Sequence, residues 1–237
     1  MMKNIIYEHD ISPIFLYIAM VESEFNTKAC SRTGAGGLWQ IALNTAKDLK
    51  LTINNEIDER YDPIRSTNAA IKYLYRINNN LNSWYLTTMA YNCGNGCVNR
   101  AIKRAGSRNL NVLMSANNSY IKKETKKYIQ KVLLMAMIGE NYLFKRNDRV
   151  GEIMHTLHRD GITPVRVRQG EELSTVALLL NMNQSYLNKI NPHLKNGHAP
   201  YNRAYKINIP TSKVRDFNQQ YAGIYRRRNE YLSINTY

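Results

Sequence analysis

Ile18-Ala19-Met20-Val21-Glu22-Ser23-Glu24-Phe25-Asn26, followed by Ser31-Arg32-Thr33-Gly34-Ala35-Gly36-Gly37-Leu38-Trp39-Gln40, decides how this chain is read. An apolar, helix-like run carries Glu22 at its end. A carboxylic acid against an apolar surface is disfavoured as an anion, so its pKa rises and it can hold a proton near neutral pH. A general acid that protonates a leaving-group oxygen needs that property. The glycine-rich stretch behind it lets backbone approach a ligand closely. Taken alone, a glutamate of this kind is more often a solvated helix carboxylate, so the surrounding segments have to carry the argument.

Helical signals dominate the chain to about residue 145. Ile11 to Phe25 starts after Asp10, with Ser12 as a candidate N-cap and Pro13 in the first turn. Asp62-Pro63 opens a helix bearing Ile64, Ala69, Ala70, Tyr73, Leu74 and Ile77 at three- and four-residue intervals. Trp84 to Tyr91 reads as a short helix stopped by Asn92-Cys93-Gly94-Asn95-Gly96. Tyr120 to Asn141 reads as a long one, with Tyr128, Val132, Met135 and Ile138 on one face. Lys145 to Gly161 is polar and reads as a linker. Beyond it, Pro164 to Arg168 alternates like a strand, Gly170 turns, and Leu173, Val176, Ala177 and Leu180 are helix-spaced. Tyr186, Leu187 and Ile190 form another stripe, and Tyr205 to Pro210 alternates again. The order strand, helix, helix, strand implies a small separate module. Residues 211 to 237, with Arg226-Arg227-Arg228, read as a basic, solvated tail.

The chain has 237 residues and a formal net charge of +15. That surplus implies an anionic partner, whether nucleic acid, lipid surface or acidic polymer. No recognised nucleic-acid motif supports the first. No apolar run reaches the ~20 residues of a membrane-spanning helix, and the N-terminus is too polar for a signal peptide. A protein working outside the cytoplasm would then be a mature or truncated form, or use another export route. Three cysteines, Cys30, Cys93 and Cys97, leave at least one unpaired. Cys93 and Cys97 could bridge locally, but small apolar fillers are the favoured reading. Neither a cofactor nor a metal is expected, because the cysteines and histidines lack ligand spacing. The five histidines show no pairing logic. Trp39 and Trp84 read as core, Glu24 as a rim charge, and Asp58 and Asp62 as loop and cap residues.

Four segments recur in order: Glu22-Ser23; Gly37-Leu38-Trp39-Gln40; Ala90-Tyr91-Asn92 with Gly94 and Gly96; and Glu124-Thr125 with Tyr128 one turn on. In this register they resemble the lytic transglycosylases that cleave bacterial peptidoglycan, specifically the membrane-bound transglycosylase D-like group. The resemblance runs from about Leu16 to Asn141. It implies a mainly α, lysozyme-like (α+β, mostly helical) catalytic domain over residues 1–145. Residues 163–210, after a linker at 146–162 and before a tail at 211–237, resemble a small βααβ LysM domain, a binder of N-acetylglucosamine-containing glycans. The matching residues are Val165 to Val167, Gly170, Leu173, Val176-Ala177, Leu187, Ile190 to Pro192 and Ile207 to Pro210.

Carried over, the resemblance implies Glu22 as sole catalytic acid and base. Ser31 and Gln40 would bind the acetamido group or hydroxyls, Tyr91 would lie beside the reacting ring, and Asn92 would fix its loop. Glu124 and Tyr128 would contact sugars. The implied partner is the peptidoglycan glycan strand, met in the periplasm or cell envelope by a protein peripheral to wall or membrane. Several positions depart from the pattern. Ala42 stands where Met or Phe is usual, Cys93 replaces Ala, and Glu24 replaces a small residue. The absent N-terminal extension and Ala42 keep a weakly hydrolytic or non-catalytic wall-binding protein as the alternative.

Overall fold

The computed structural model describes residues 2–140 and 161–223, which fall into two compact units. Residues 2–51 and 63–140 form one, and 52–62 with 161–223 form the other.

The first unit is helical. Helix α1 (Met2–Glu8) is followed by a 3-10 turn at Pro13–Phe15, where the Ser12 side chain accepts from Ile14 N as the sequence predicts. Helix α2 (Leu16–Ser23) follows directly. Then come α3 (Leu43–Asp48), α4 (Pro63–Leu81), α5 (Trp84–Cys93), α6 (Asn95–Ala105), α7 (Leu110–Met114) and α8 (Lys123–Gly139). The predicted stripe of α4 is real: Ala69, Ala70, Leu74 and Ile77 are buried. They meet Leu86, Met89 and Ala90 of α5, while α8 packs on α2 and α5 through Tyr128, Ile129, Val132 and Ala136. Trp39 is fully buried and donates from Nε1 to Thr67 Oγ1 at 3.0 Å, so its one polar atom is satisfied. Trp84, expected in the core, is 37% exposed and lies edge-on to Tyr75 at 5.6 Å.

Sequence and structure differ at the Asn92–Gly96 break. It ends α5 but does not end helical structure, because α6 starts at Asn95. Gly94, at φ 83°, supplies a backbone turn that L side chains rarely adopt, and its N–H bonds Ala90 O at 2.7 Å. Across this corner Cys93 and Cys97 form a disulfide with Cα atoms 5.8 Å apart, so the filler reading is corrected for both. Cys30 is free and exposed.

In the second unit, β1 (Ile162–Val167) pairs antiparallel with β2 (Tyr205–Pro210), Val165 opposite Ile207. Helices α9 (Leu173–Leu179) and α10 (Gln184–Ile190) complete the predicted strand–helix–helix–strand order. Val165, Val167, Leu173, Val176, Leu187, Ile207 and Ile209 share one core. The chain after β2 continues through a 3-10 turn at Thr211–Lys213 into a further helix, α11 (214–223), and buries Phe217 in that core. Residues 211–223 are therefore folded structure rather than solvated tail. Of the expected linker at 146–162, residues 146–160 lie outside the described residues, and Ile162 already belongs to β1.

The segment Thr52–Asp62 belongs to this unit, although its sequence lies between α3 and α4. Ile57 is fully buried in the core. The Glu59 carboxylate accepts from Tyr205 Oη at 2.7 Å and from Thr52 N at 2.7 Å. Arg60 grips Asp58 through two parallel hydrogen bonds of 3.0 and 2.8 Å. His193 Nε2 lies 3.4 Å from Asp62 Oδ2 with both side chains fully enclosed, so one of the five histidines has an acidic neighbour after all.

Candidate active site

Glu22 sits in the last turn of α2, half-buried. Helix α2 stops at the next residue because Glu24 takes the left-handed conformation, φ 53°, with its N–H on Met20 O. Ser23 Oγ bridges the helix end to the following loop, lying 3.1 Å from Ala19 O and 2.8 Å from Leu38 O. Burial raises the Glu22 carboxyl to about 6 from an ordinary 4.5. Tyr128 works the other way: its Oη donates to Glu22 Oε1 at 2.8 Å and so favours the carboxylate. Among the described residues no second carboxylate contributes to the shift, and Glu24 and Glu124 are both exposed.

Tyr128 is buried on α8 rather than turned outward to a ligand. Burial pushes its phenol up strongly, and the Glu22 charge adds to this, so it remains a proton-bearing donor. Tyr91, near the end of α5, donates from Oη to Trp39 O at 2.8 Å and lies edge-on to Tyr73, ring centres 5.6 Å apart. Burial raises its pKa well above normal, with Glu22 the next cause, which places Tyr91 within electrostatic reach of that carboxyl.

The loop over residues 29–41 is held by its own backbone. Gly37 N bonds Ala29 O at 2.8 Å, and Gly36 and Ile41 form a bridge. Gln40 directs Nε2 to Gly37 O (2.9 Å) and Ala29 O (3.2 Å), bracing the turn. Ser31 Oγ accepts from Ala35 N at 3.0 Å and pairs with Thr33 Oγ1 at 3.0 Å, so it too organises the loop. Asn92 is exposed, and its Oδ1 accepts from Thr125 Oγ1 at 2.8 Å, joining α5 to the first turn of α8. Glu124, beside Thr125, faces solvent.

Glu22, Tyr91 and Tyr128 are thus brought together, while Ser31 and Gln40 shape the glycine-rich loop and Asn92 fastens α8. Thr125, Ser23 and Tyr73 were not singled out for these supporting contacts. Ser23 and Thr125 stood in the segments that carry the resemblance and Tyr73 on the α4 stripe, but none of these signals gave the contact. Among the described residues no cluster of three His, Cys, Asp or Glu side chains could hold a metal ion.

Comparison with known proteins gives two family matches. Residues 6–114 match the transglycosylase SLT domain, and residues 161–226 match the LysM-like domain of lytic transglycosylase MltD. The membrane-bound lytic murein transglycosylase D of Escherichia coli K12 is 30% identical over 180 residues, covering 75% of this chain and 38% of the relative. The same protein from Escherichia coli O6:H1 matches equally. The chain therefore spans 38% of the length of these relatives. A solved complex of a 70-kDa soluble lytic transglycosylase with bulgecin A superposes with a TM-score of 0.51 at 24% identity, over 61% of this chain and 24% of that one, and so shares the fold.

Proposed function

We propose, from the match of residues 6–114 to the transglycosylase SLT domain, the match of residues 161–226 to an MltD-type LysM-like domain and the homology to membrane-bound lytic murein transglycosylase D, that this chain cleaves peptidoglycan between N-acetylmuramic acid and N-acetylglucosamine and releases a 1,6-anhydro product. The observation that carries the reading is Glu22: half-buried, raised to about 6, held by Tyr128 and, among the described residues, with no other carboxylate shifting it. A two-carboxylate glycosidase uses the second group as nucleophile or base. One carboxyl can serve both proton transfers if the nucleophile belongs to the substrate.

In the proposed sequence protonated Glu22 gives its proton to the glycosidic oxygen, and the bond to the muramic C1 breaks. The muramic 2-acetamido group stabilises the positive charge that develops. Glu22, now a carboxylate, takes the proton of the same sugar's 6-hydroxyl as that oxygen bonds C1. Acid and base are restored, and no water is consumed. Ring closure is favoured because the 6-hydroxyl is intramolecular. With a pKa near 6, about a tenth of Glu22 is protonated at pH 7, enough to act as an acid.

The remaining roles follow the contacts. Tyr128 orients the Glu22 carboxyl. Tyr91, its hydroxyl anchored on Trp39, offers a fixed ring beside the reacting sugar. Gln40 spends its N–H groups on the loop and keeps Oε1 as an acceptor for an acetamide N–H or hydroxyl. Asn92 keeps its amide nitrogen for the sugar while Ser31 shapes the loop, and exposed Glu124 accepts sugar hydroxyls from the first turn of α8. The LysM-like unit would hold the glycan strand. The Cys93–Cys97 disulfide suits an oxidising compartment such as the cell envelope. Digestion of purified peptidoglycan followed by mass analysis of the muropeptides is the test. Anhydro ends are expected, and reducing ends alone would replace this reading with a hydrolytic one.

A further inference from the structure

We propose that the cavity between β1 and α11 of the LysM-like unit binds a carboxylate-bearing peptide, with Arg166 as the partner of the carboxylate. The cavity has a volume of about 390 Å³ and is lined by Thr163, Pro164 and Arg166 of β1 and by Phe217, Asn218 and Tyr221 of α11. Ligand pockets run from roughly 300 to 1,000 Å³, so this one suits a small segment rather than a long polymer.

Its wall is fixed. Tyr221 stacks on Phe217 with ring centres 4.6 Å apart and planes 18° from parallel. The Tyr221 hydroxyl is held from both sides, accepting from Arg168 N at 2.9 Å and donating to Glu171 Oε2 at 2.7 Å. Phe217 is itself a core residue, so α11 cannot swing away without exposing it.

The polar side of the cavity is cationic. Arg166 is exposed and makes no hydrogen bond or ion pair among the described residues. It stands directly opposite Lys206 in the antiparallel register, so two cationic residues lie side by side there. A planar guanidinium matches a carboxylate with two parallel hydrogen bonds. Exposed Asn218 adds an amide that can pair with peptide backbone. The nearby Asp216 carboxylate lies 3.8 Å from Lys213, which offsets its charge. A short acidic peptide uses both the cation, through paired charge-assisted hydrogen bonds, and the apolar wall. The proposed function enters at one point: it makes the peptide stems of the wall polymer the source of such carboxylates.

The test is an NMR titration of the whole chain with an alanyl-glutamate dipeptide and with the same dipeptide amidated at its carboxyls. Saturable shifts at the amides of Arg166, Asn218 and Tyr221 are expected with the acid alone, and Arg166→Gln should weaken them at least tenfold. Arg166 is exposed, so the variant should keep its spectrum away from the cavity. Equal affinity of wild type and variant, no binding by wild type, or binding of the amidated form would overturn the proposal. So would a neutral chito-oligosaccharide or an oligonucleotide perturbing the same amides instead. Glycan cleavage plays no part in this readout, so loss of anhydro products would sink the catalytic reading and leave the peptide site standing.

Discussion

At residue scale the molecule turns on one carboxyl that burial raises and one phenol that restrains the rise. The acid form of Glu22 starts the proposed reaction, so kcat/KM is expected to fall about tenfold per pH unit above roughly 6, read from a pH profile on peptidoglycan. Tyr128→Phe removes the hydrogen bond that favours the carboxylate, so the Glu22 pKa rises and the alkaline limb of the profile moves to higher pH. An unmoved limb would contradict the assigned role of Tyr128. Glu22→Gln should abolish activity and also change stability, with a definite sign. The folded state holds the Glu22 proton up to about pH 6 and the unfolded chain only to about 4.5. Between those values the native state binds more protons, so this group's contribution falls as pH rises through that window. Above pH 7 the charged, half-buried carboxylate costs up to about 2 kcal/mol, less whatever solvent screens. Thermal melts of Glu22→Gln should therefore show a gain over wild type at pH 8 that disappears at pH 4.

At the scale of elements, the corner between α5 and α6 decides how firmly Asn92 is held to Thr125. Closing the short Cys93–Cys97 loop is worth about 2 kcal/mol in the chain-entropy account. The double variant Cys93→Ser, Cys97→Ser should lower the melting temperature by several degrees, and wild type in reductant should match it. Most elements could be read directly. The strands alternate, Asp62-Pro63 announces α4, and Ser12 and Pro13 announce the entry to α2. Others were hidden for physical reasons. Gly94 and Gly96 look like an end to helical structure, but Gly94 only turns the chain between two helices. Lysines and arginines after residue 211 suggest a solvated tail, yet Val214, Phe217 and Tyr221 dock α11 on the core. The catalytic candidate was legible from Glu22 and its loop. The inward turn of Tyr128 was not, because helix spacing gives a face without saying what lies against it.

At the scale of the whole molecule, the LysM-like core draws on two distant stretches of chain. Ile57→Ala removes a fully buried side chain from that core and should cost about 2–5 kcal/mol. Hydrogen exchange should register the loss in β1, β2 and α9, and unchanged protection there would contradict the shared core. A polypeptide of residues 161–226 alone lacks Ile57 and the Glu59 acceptor for Tyr205, and is expected to melt below the same unit in the intact protein. The consequence reaches to how the molecule can be taken apart. Made as two separate polypeptides, 1–140 and 161–237, it should reassemble in the manner of a split reporter, because the interior of the LysM-like unit is divided between them. Grafting the C-terminal piece onto a foreign enzyme should fail for the same reason, unless the eleven residues from Thr52 to Asp62 travel with it.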